Sequence, residues 1–85
     1  MASTIKFSLC NNQMSDVNVN VYDLRTGNQV TNTYPLNRDE RVDVEIIADS
    51  WGKGAARWDF WSNDGGVNSN KQQSDIGDGD TCSLG

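Results

Sequence analysis

Histidine is absent from this 85-residue chain. His is the commonest general base and the usual partner of a catalytic Ser or Cys, so its absence removes the most frequent forms of acid–base and nucleophilic catalysis. Without His, the two cysteines fall short of the four ligands that a structural zinc site needs. Carboxylate pairs such as Asp43 and Glu45 remain, but acidic residues on the polar side of a strand are ordinarily its solvated face. The sequence therefore predicts a protein that binds, with no catalytic role and no cofactor.

Clustered positive charge and long apolar runs are also missing. The seven Lys and Arg are scattered, and a formal net charge of −5 repels a phosphate backbone, so we do not expect a nucleic-acid partner. No run approaches the roughly 20 apolar residues of a membrane span, and the first residues, MASTIKFSLC, hold no apolar core long enough for a signal peptide. We expect a cytoplasmic protein as encoded, with secretion by another route left open.

The two cysteines, Cys10 and Cys82, lie near opposite ends of the sequence. In a reducing compartment they stay thiols whether or not they are neighbours. If oxidised, they would close a loop of about 72 residues, worth roughly 4 kcal/mol in the chain-entropy picture. The sequence alone does not decide between the two states.

Strict alternation of apolar and polar residues dominates the rest of the chain. In DVNVNVYD, three valines alternate with Asn18 and Asn20, which is typical of a strand with one wet face. TIKFSLC, ERVDVEIIAD and ARWDFWS repeat the pattern. The apolar positions of these strands predict a core that includes Val19, Val44, Trp58 and Phe60.

Turn formers separate the alternating runs at NNQMSD, RTGN, LNRDE, SWGKG and NDGG. Weaker strands are predicted at 29–34 and 81–84, and 67–80 is predicted to be a loop or a short edge strand. About 85 residues suit one small domain with a modest core. We predict a single all-β domain over residues 1–85, a small antiparallel β-sandwich of Greek-key or Ig-like type with six to seven short strands.

The order of these segments is a first strand, an Asn pair, V-x-V-x-V, then LNRDERVDVEI, a G-x-G turn and a Trp strand. This order resembles the opening of thaumatin-like β-sandwich proteins. The resemblance covers the first sixty positions and implies a sandwich. The chain lacks the dense cysteine framework of that family, and no site residue is carried over from it.

All three tryptophans lie between positions 51 and 61, among glycines, charges and turn formers. Alternation directs Trp58 into the core and Trp61 to the other face, while Trp51 lies in the turn DSWGKG. Aromatic rings surrounded by polar groups are typical of sugar-binding surfaces, and also of protein interfaces. A structural alternative is that Trp51 closes one end of the sandwich and Trp61 packs under the 67–80 loop.

Our favoured hypothesis is a non-catalytic module that recognises a glycan through the end of the sandwich carrying the tryptophans. Its predicted ligand-binding residues are Trp51, Trp61, Arg57, Asn63 and Asp64. The alternative, from a different class, is a structural protein that forms a homo-oligomer through exposed strand edges and the Trp surface.

A weaker hypothesis is calcium binding by SDIGDGDT, where Asp75, Asp78 and Asp80 surround two glycines. Three carboxylates supply part of the six to eight oxygen ligands that calcium takes, although the spacing does not match an EF-hand loop. The favoured interpretation of this segment is a pair of Gly-containing turns that lead into the last strand, with the Asp side chains bonded to the local backbone.

Overall fold

The computed structural model describes residues 3–31 and 33–85. These residues form strands, turns and bends, and no helix occurs among them. The strands are β1 (Ser3–Cys10), β2 (Val17–Asp23), β3 (Tyr34–Leu36), β4 (Arg41–Ala48), β5 (Lys53–Trp61), β6 (Asn68–Gly77) and β7 (Thr81–Ser83).

The strands form two sheets, ordered β4-β1-β7 and β3-β2-β5-β6. Their inner faces share one apolar core, so the protein is the small all-β sandwich that the alternation predicted. The chain crosses between the sheets after β1, β3, β4 and β6. The two longest antiparallel pairings in the four-stranded sheet both involve β5, so this strand is central to that sheet.

Trp58 lies at the centre of the core and is fully buried, as the alternation predicted. Its indole N–H donates to the carbonyl oxygen of Leu84 at 2.8 Å, and its ring centroid lies 6.3 Å from that of Phe7 in the opposite sheet. Val19, Val44 and Phe60 are also buried, which confirms the predicted core positions. A buried indole usually needs a partner for its N–H, and here the segment after β7 supplies it through the Leu84 carbonyl.

Three local predictions were wrong. Strand β7 pairs with β1 in parallel, so the sandwich is not wholly antiparallel. The segment predicted as a loop or short edge strand contains β6, which is an edge strand of ten residues. Its alternation was hidden because Ser69, Lys71 and Gln73, which are in register with buried residues of β5, are polar. The predicted strand 29–34 includes Asn32, which lies outside the described residues; Gln29 forms only an isolated bridge to Tyr22, and β3 begins at Tyr34.

One buried carboxylate joins the two sheets at one end of the sandwich. Asp23, the last residue of β2, is only 1% exposed. Its oxygens accept hydrogen bonds from the backbone N–H of Arg25 at 2.9 Å and from that of Ile47, on β4 of the other sheet, at 2.8 Å. Burying a polar group is tolerated when it is bonded in this way, so Asp23 is explained by the structure it holds together.

The two cysteines are free and lie on adjacent strands. Cys82 is in register with Leu9 and is buried on the inner face, while Cys10 follows Leu9 and therefore occupies the outer face. Burial raises the pKa of the Cys82 thiol. The question that the sequence left open is answered by this geometry, because thiols on opposite faces of a sheet cannot bond without backbone movement.

Within residues 3–31 and 33–85, no helix is long and apolar enough to cross a bilayer.

We expect Trp58→Ala to lower the free energy of unfolding by about 3–5 kcal/mol, because it opens a cavity and leaves the Leu84 carbonyl without its donor. Urea denaturation measures this change. Trp51→Ala is the matched control, since Trp51 is 85% exposed, and we expect it to cost about 1 kcal/mol or less. If Trp58→Ala does not fold, Trp58→Phe replaces it with a smaller expected loss. Equal losses for Trp58 and Trp51 would contradict the assigned burial.

Candidate functional site

The outer face of the four-stranded sheet carries a regular array of polar and aromatic side chains. We call it the amide face. Its residues come from three neighbouring strands, because alternation turns every second residue outward once the valines of β2 and the aromatics of β5 are buried. The face consists of Asn18, Asn20, Tyr22, Arg57, Asp59, Trp61, Asn68, Asn70 and Gln72.

Strand register arranges these nine side chains in three cross-strand rows. The first row is Asn18, Trp61 and Asn68; the second is Asn20, Asp59 and Asn70; the third is Tyr22, Arg57 and Gln72. Rows lie about 6.8 Å apart along the strands, and neighbouring strands lie about 4.8 Å apart. The result is a regular polar surface with an aromatic ring in the first row and another in the third.

The two charges of the amide face neutralise each other. A guanidinium nitrogen of Arg57 lies 3.0 Å from a carboxylate oxygen of Asp59, two positions along β5. The guanidinium carbon also lies 5.9 Å from the centre of the Tyr22 ring, within cation–π distance. Arg57 thus contacts both an acid and an aromatic ring.

Several polar groups of the amide face are open to a ligand. Among the described residues, the side-chain amides of Asn68, Asn70 and Gln72 have no hydrogen-bond partner, and these three residues are exposed. The Trp61 indole N–H and the Tyr22 hydroxyl are likewise without a partner in residues 3–31 and 33–85. Each primary amide donates and accepts, so a row of them can bond hydroxyl groups of varied orientation.

The first row of the amide face continues into a cleft at the end of the sandwich. Asn18 donates from its amide nitrogen to the Asn63 amide oxygen at 2.8 Å. Asn63 and Asp64 line an open cleft of about 400 Å³, together with Met14, Ser15, Asp16, Arg38 and Ser62. Met14 is the apolar side of this cleft and is 78% exposed. Three of the predicted site residues, Trp61, Asn63 and Asp64, therefore lie at one end of the molecule.

Asp64 shapes the turn that follows β5. One of its carboxylate oxygens accepts from the Ser62 hydroxyl at 2.6 Å and from the Gly66 N–H at 2.8 Å. These bonds, that of Ser62 first, lower the pKa of Asp64. Gly65 has a φ of 78°, which favours glycine in this turn. Asp64 thus orders this turn and also lines the cleft.

Trp51 does not lie at the Trp61 end, contrary to the prediction that one end carries both. Trp51 precedes β5 and Trp61 ends it, so the length of this strand, roughly 26 Å, separates them. Asp49 fixes the turn that presents Trp51: one carboxylate oxygen accepts from the N–H groups of Trp51 at 2.8 Å and Lys53 at 3.0 Å. The structure also contradicts the end-plug alternative for Trp51, because its side chain is 85% exposed.

Trp61 is half-buried on the amide face and lies beside Asn68 of β6. Since 68–77 is a strand of the same sheet, no loop covers the indole from this segment, contrary to the structural alternative. Arg57, the remaining predicted site residue, is on the same face, two rows from Trp61.

The acidic segment near the C-terminus contains one turn, at Asp78 and Gly79, and not the predicted pair, because Asp75 and Gly77 belong to β6. The Asp80 carboxylate accepts from the Gly77 N–H at 2.7 Å, and the Asp78 carboxylate accepts from the Lys6 N–H at 2.9 Å. Asp75 has a φ of 56° near the irregularity of β6. In the part of the chain that the structure describes, no three acidic, Cys or His side chains are grouped to hold a metal ion. Calcium binding by Asp75, Asp78 and Asp80 has no further support.

Sequence reasoning missed most of the amide face. The alternation in VNVNV already turned Asn18 and Asn20 outward, but nothing indicated that they flank β5. Asn68, Asn70 and Gln72 were missed because 67–80 was predicted only as a loop or a short edge strand, with no residues assigned to either face. The alternation of NSNKQQ is invisible when both faces are polar.

Comparison with known protein families, with curated proteins and with solved structures gives no significant match to this chain.

Acid should weaken the fold through Asp64 and Asp49. The pKa of Asp49 is lowered chiefly by the hydrogen bond from the Lys53 backbone, and that of Asp64 by the Ser62 hydroxyl, from an ordinary value of 3.8. Each ionised carboxylate thus stabilises the fold above pH 3.8, and this stabilisation is lost as the pH falls through the lower folded-state pKa. We expect the stability difference between wild type and Asp64→Asn to be constant at neutral pH and to shrink below pH 3.8.

Urea denaturation of both proteins from neutral to acid pH measures this difference. Asp39→Asn is the control, because Asp39 lies outside these turns and is paired only with Arg38 at 3.9 Å. A difference between wild type and Asp64→Asn that stays constant through the acid range would contradict the role given to the Asp64 carboxylate.

Proposed function

We propose that this protein is a non-catalytic module that recognises a glycan with the amide face, with Trp61 as the central contact. The observation that carries the proposal is the combination in the first row: a half-buried indole with a free N–H between two asparagines. An indole face packs against the C–H groups of a sugar ring, while the flanking amides bond its hydroxyls.

The polar partners around Trp61 support this proposal. The amide of Asn18 is oriented by Asn63, so the edge of the site near the cleft is preorganised. Binding costs less ordering entropy when partners are held in place before the ligand arrives. The exposed amides on β6 extend the hydrogen-bonding surface on the other side of the indole. Arg57 contributes to the proposed site by pairing with Asp59, which neutralises the charge of the face. Asp64 contributes by ordering the turn that lines the cleft.

Trp51 is outside this proposed site, because it lies at the opposite end of β5. Its exposure makes it a candidate for a separate contact, and its distance makes it a matched control. A substitution of Trp51 removes an indole from the turn before β5 without touching the amide face.

We expect Trp61→Ala to abolish or strongly weaken glycan binding while the protein stays folded. Aromatic anchors of this kind commonly carry about 2 kcal/mol or more of binding free energy, which is a loss of roughly thirtyfold in affinity. A glycan array identifies ligands of the wild type, and calorimetry with the best ligand compares Trp61→Ala with Trp51→Ala. Binding that survives Trp61→Ala but not Trp51→Ala would place the site at the other end, and an array without any ligand would overturn the proposal.

Self-association is the second candidate function, and the position of β6 favours it. This ten-residue strand lies at the edge of its sheet, contains no proline and carries one charge between Asn68 and Ser74. A second copy could pair with this edge and extend the sheet. Against strong association, Lys71 is in register with the inward-facing Trp58, so pairing would bury its charge beside the edge.

Under this second candidate, molecular mass rises with protein concentration, and Lys71→Thr moves association to lower concentration because it removes the buried charge. Sedimentation velocity over a wide concentration range measures both. Lys53→Thr is the control, since Lys53 is an exposed lysine at the start of β5. A monomeric mass for wild type and Lys71→Thr at every concentration would exclude edge pairing through β6.

A further inference from the structure

We infer that the ligand of the amide face is a linear, uncharged oligosaccharide that lies along β5 and contacts both Trp61 and Tyr22. This inference rests on the proposed glycan function and adds the class, the charge and the direction of the chain that the site accepts.

The placement of the two rings determines the direction. Tyr22 and Trp61 lie on adjacent strands, two rows apart, which corresponds to about 14 Å between their Cα atoms. Both are half-buried, so each is fixed in the sheet and presents part of its ring to solvent. A single sugar ring cannot reach both at this distance, whereas an extended chain of sugars can.

The groups between the two rings suit the hydroxyls of such a chain. The second row places Asn20 of β2 and Asp59 of β5 between the two rings, with Asn70 of β6 on the far side of Asp59. Asn20 is positioned by the Gln29 amide, which donates to its oxygen at 3.3 Å, and Asn70 is exposed. The middle of the path therefore offers the Asn20 amide and the Asp59 carboxylate, which is paired with Arg57, and the Asn70 amide lies beside them. It holds no apolar side chain that would leave hydroxyls unpaired.

The charges of the face exclude ionised glycans. Arg57 and Asp59 are the only ionised residues of the nine, and they pair with each other at 3.0 Å. A sulfated or carboxylated chain would find no free cation on the face and would approach a protein of net charge −5. A positively charged amino-sugar chain would need a free carboxylate. Asp59 is the one acid among the nine residues of the face, and it is already paired with Arg57. An uncharged chain needs neither a free cation nor a free carboxylate on the face.

Calorimetry with uncharged linear oligomers of glucose, mannose and N-acetylglucosamine, from the monosaccharide to the hexasaccharide, tests this inference. For at least one series, we expect affinity to rise on the order of tenfold as the chain becomes long enough to span both rings, and then to level off. Galacturonate oligomers of the same lengths should bind more weakly than the best uncharged series.

Two substitutions locate the gain in affinity. Tyr22→Ala should remove the gain from the longer oligomers and leave the shorter ones unchanged, whereas Trp61→Ala should weaken all lengths. Tyr34→Ala is the matched control, because Tyr34 is an exposed tyrosine of the same sheet that is in register with the inward-facing Val19. The melting temperature of each variant is measured first; if Tyr22→Ala does not fold, the length dependence of the wild type decides alone.

The outcomes separate this inference from the proposed function. Binding that does not depend on length, or preference for galacturonate, would overturn the linear uncharged chain while a Trp61-dependent glycan site remained. If none of the uncharged series binds but the array shows glycan ligands of another class, the linear uncharged chain is likewise overturned and a glycan site remains. Absence of any glycan ligand on the array would remove the proposed function itself.

Discussion

The burial of Trp58 is the constraint on which the rest of this small sandwich depends. An indole fills much of a thin core, but its N–H must be bonded once water is excluded. The Leu84 carbonyl meets this need at 2.8 Å, so the segment after β7 closes the core beneath β5. With Trp58 directed inward, the alternation of β5 leaves Arg57, Asp59 and Trp61 outward. The amide face is therefore the outer side of the sheet whose inner side packs in the core, and β5 contributes residues to both sides.

Polar groups buried at the margins of the core complete this arrangement. Asp23 joins β2 to β4 through the Ile47 N–H at one end. At the other end Asn11, 2% exposed, donates to the carbonyl oxygens of Ser15 and Leu36 at 2.9 and 3.0 Å. Both are fully bonded, in keeping with the rule that buried polar groups persist where they find partners. These contacts hold the loops at both ends, including the loop that carries Met14 to the cleft beside Asn63.

Sequence reasoning was sufficient for the fold class and for much of the core, because the period of two in β1, β2, β4 and β5 coincides with burial on one face. It did not establish β6, whose Ser69, Lys71 and Gln73 occupy inward positions without being apolar. The strand predicted at 81–84 contains β7, but its parallel pairing with β1 leaves no local signal and was missed. For the site, alternation correctly put Trp61 and Arg57 outward. It could not show that Trp51 lies a strand's length away, since proximity in sequence suggested proximity in space. The rows of the amide face depend on register between strands, which no single segment encodes.

The parallel pairing of β1 with β7 has a consequence for how the chain folds. Leu9 and Cys82 are partners across more than seventy residues of intervening chain, whereas β5 and β6 join through a short turn that Asp64 orders. Local hairpins close quickly, and pairings of high sequence separation carry a larger loop-closure cost that slows folding. The β5–β6 hairpin can therefore form early with Trp58 still solvated. Its indole N–H gains the Leu84 carbonyl as a partner only when the segment after β7 has returned to β1, where the Leu84 N–H donates to the Cys10 carbonyl oxygen at 3.0 Å.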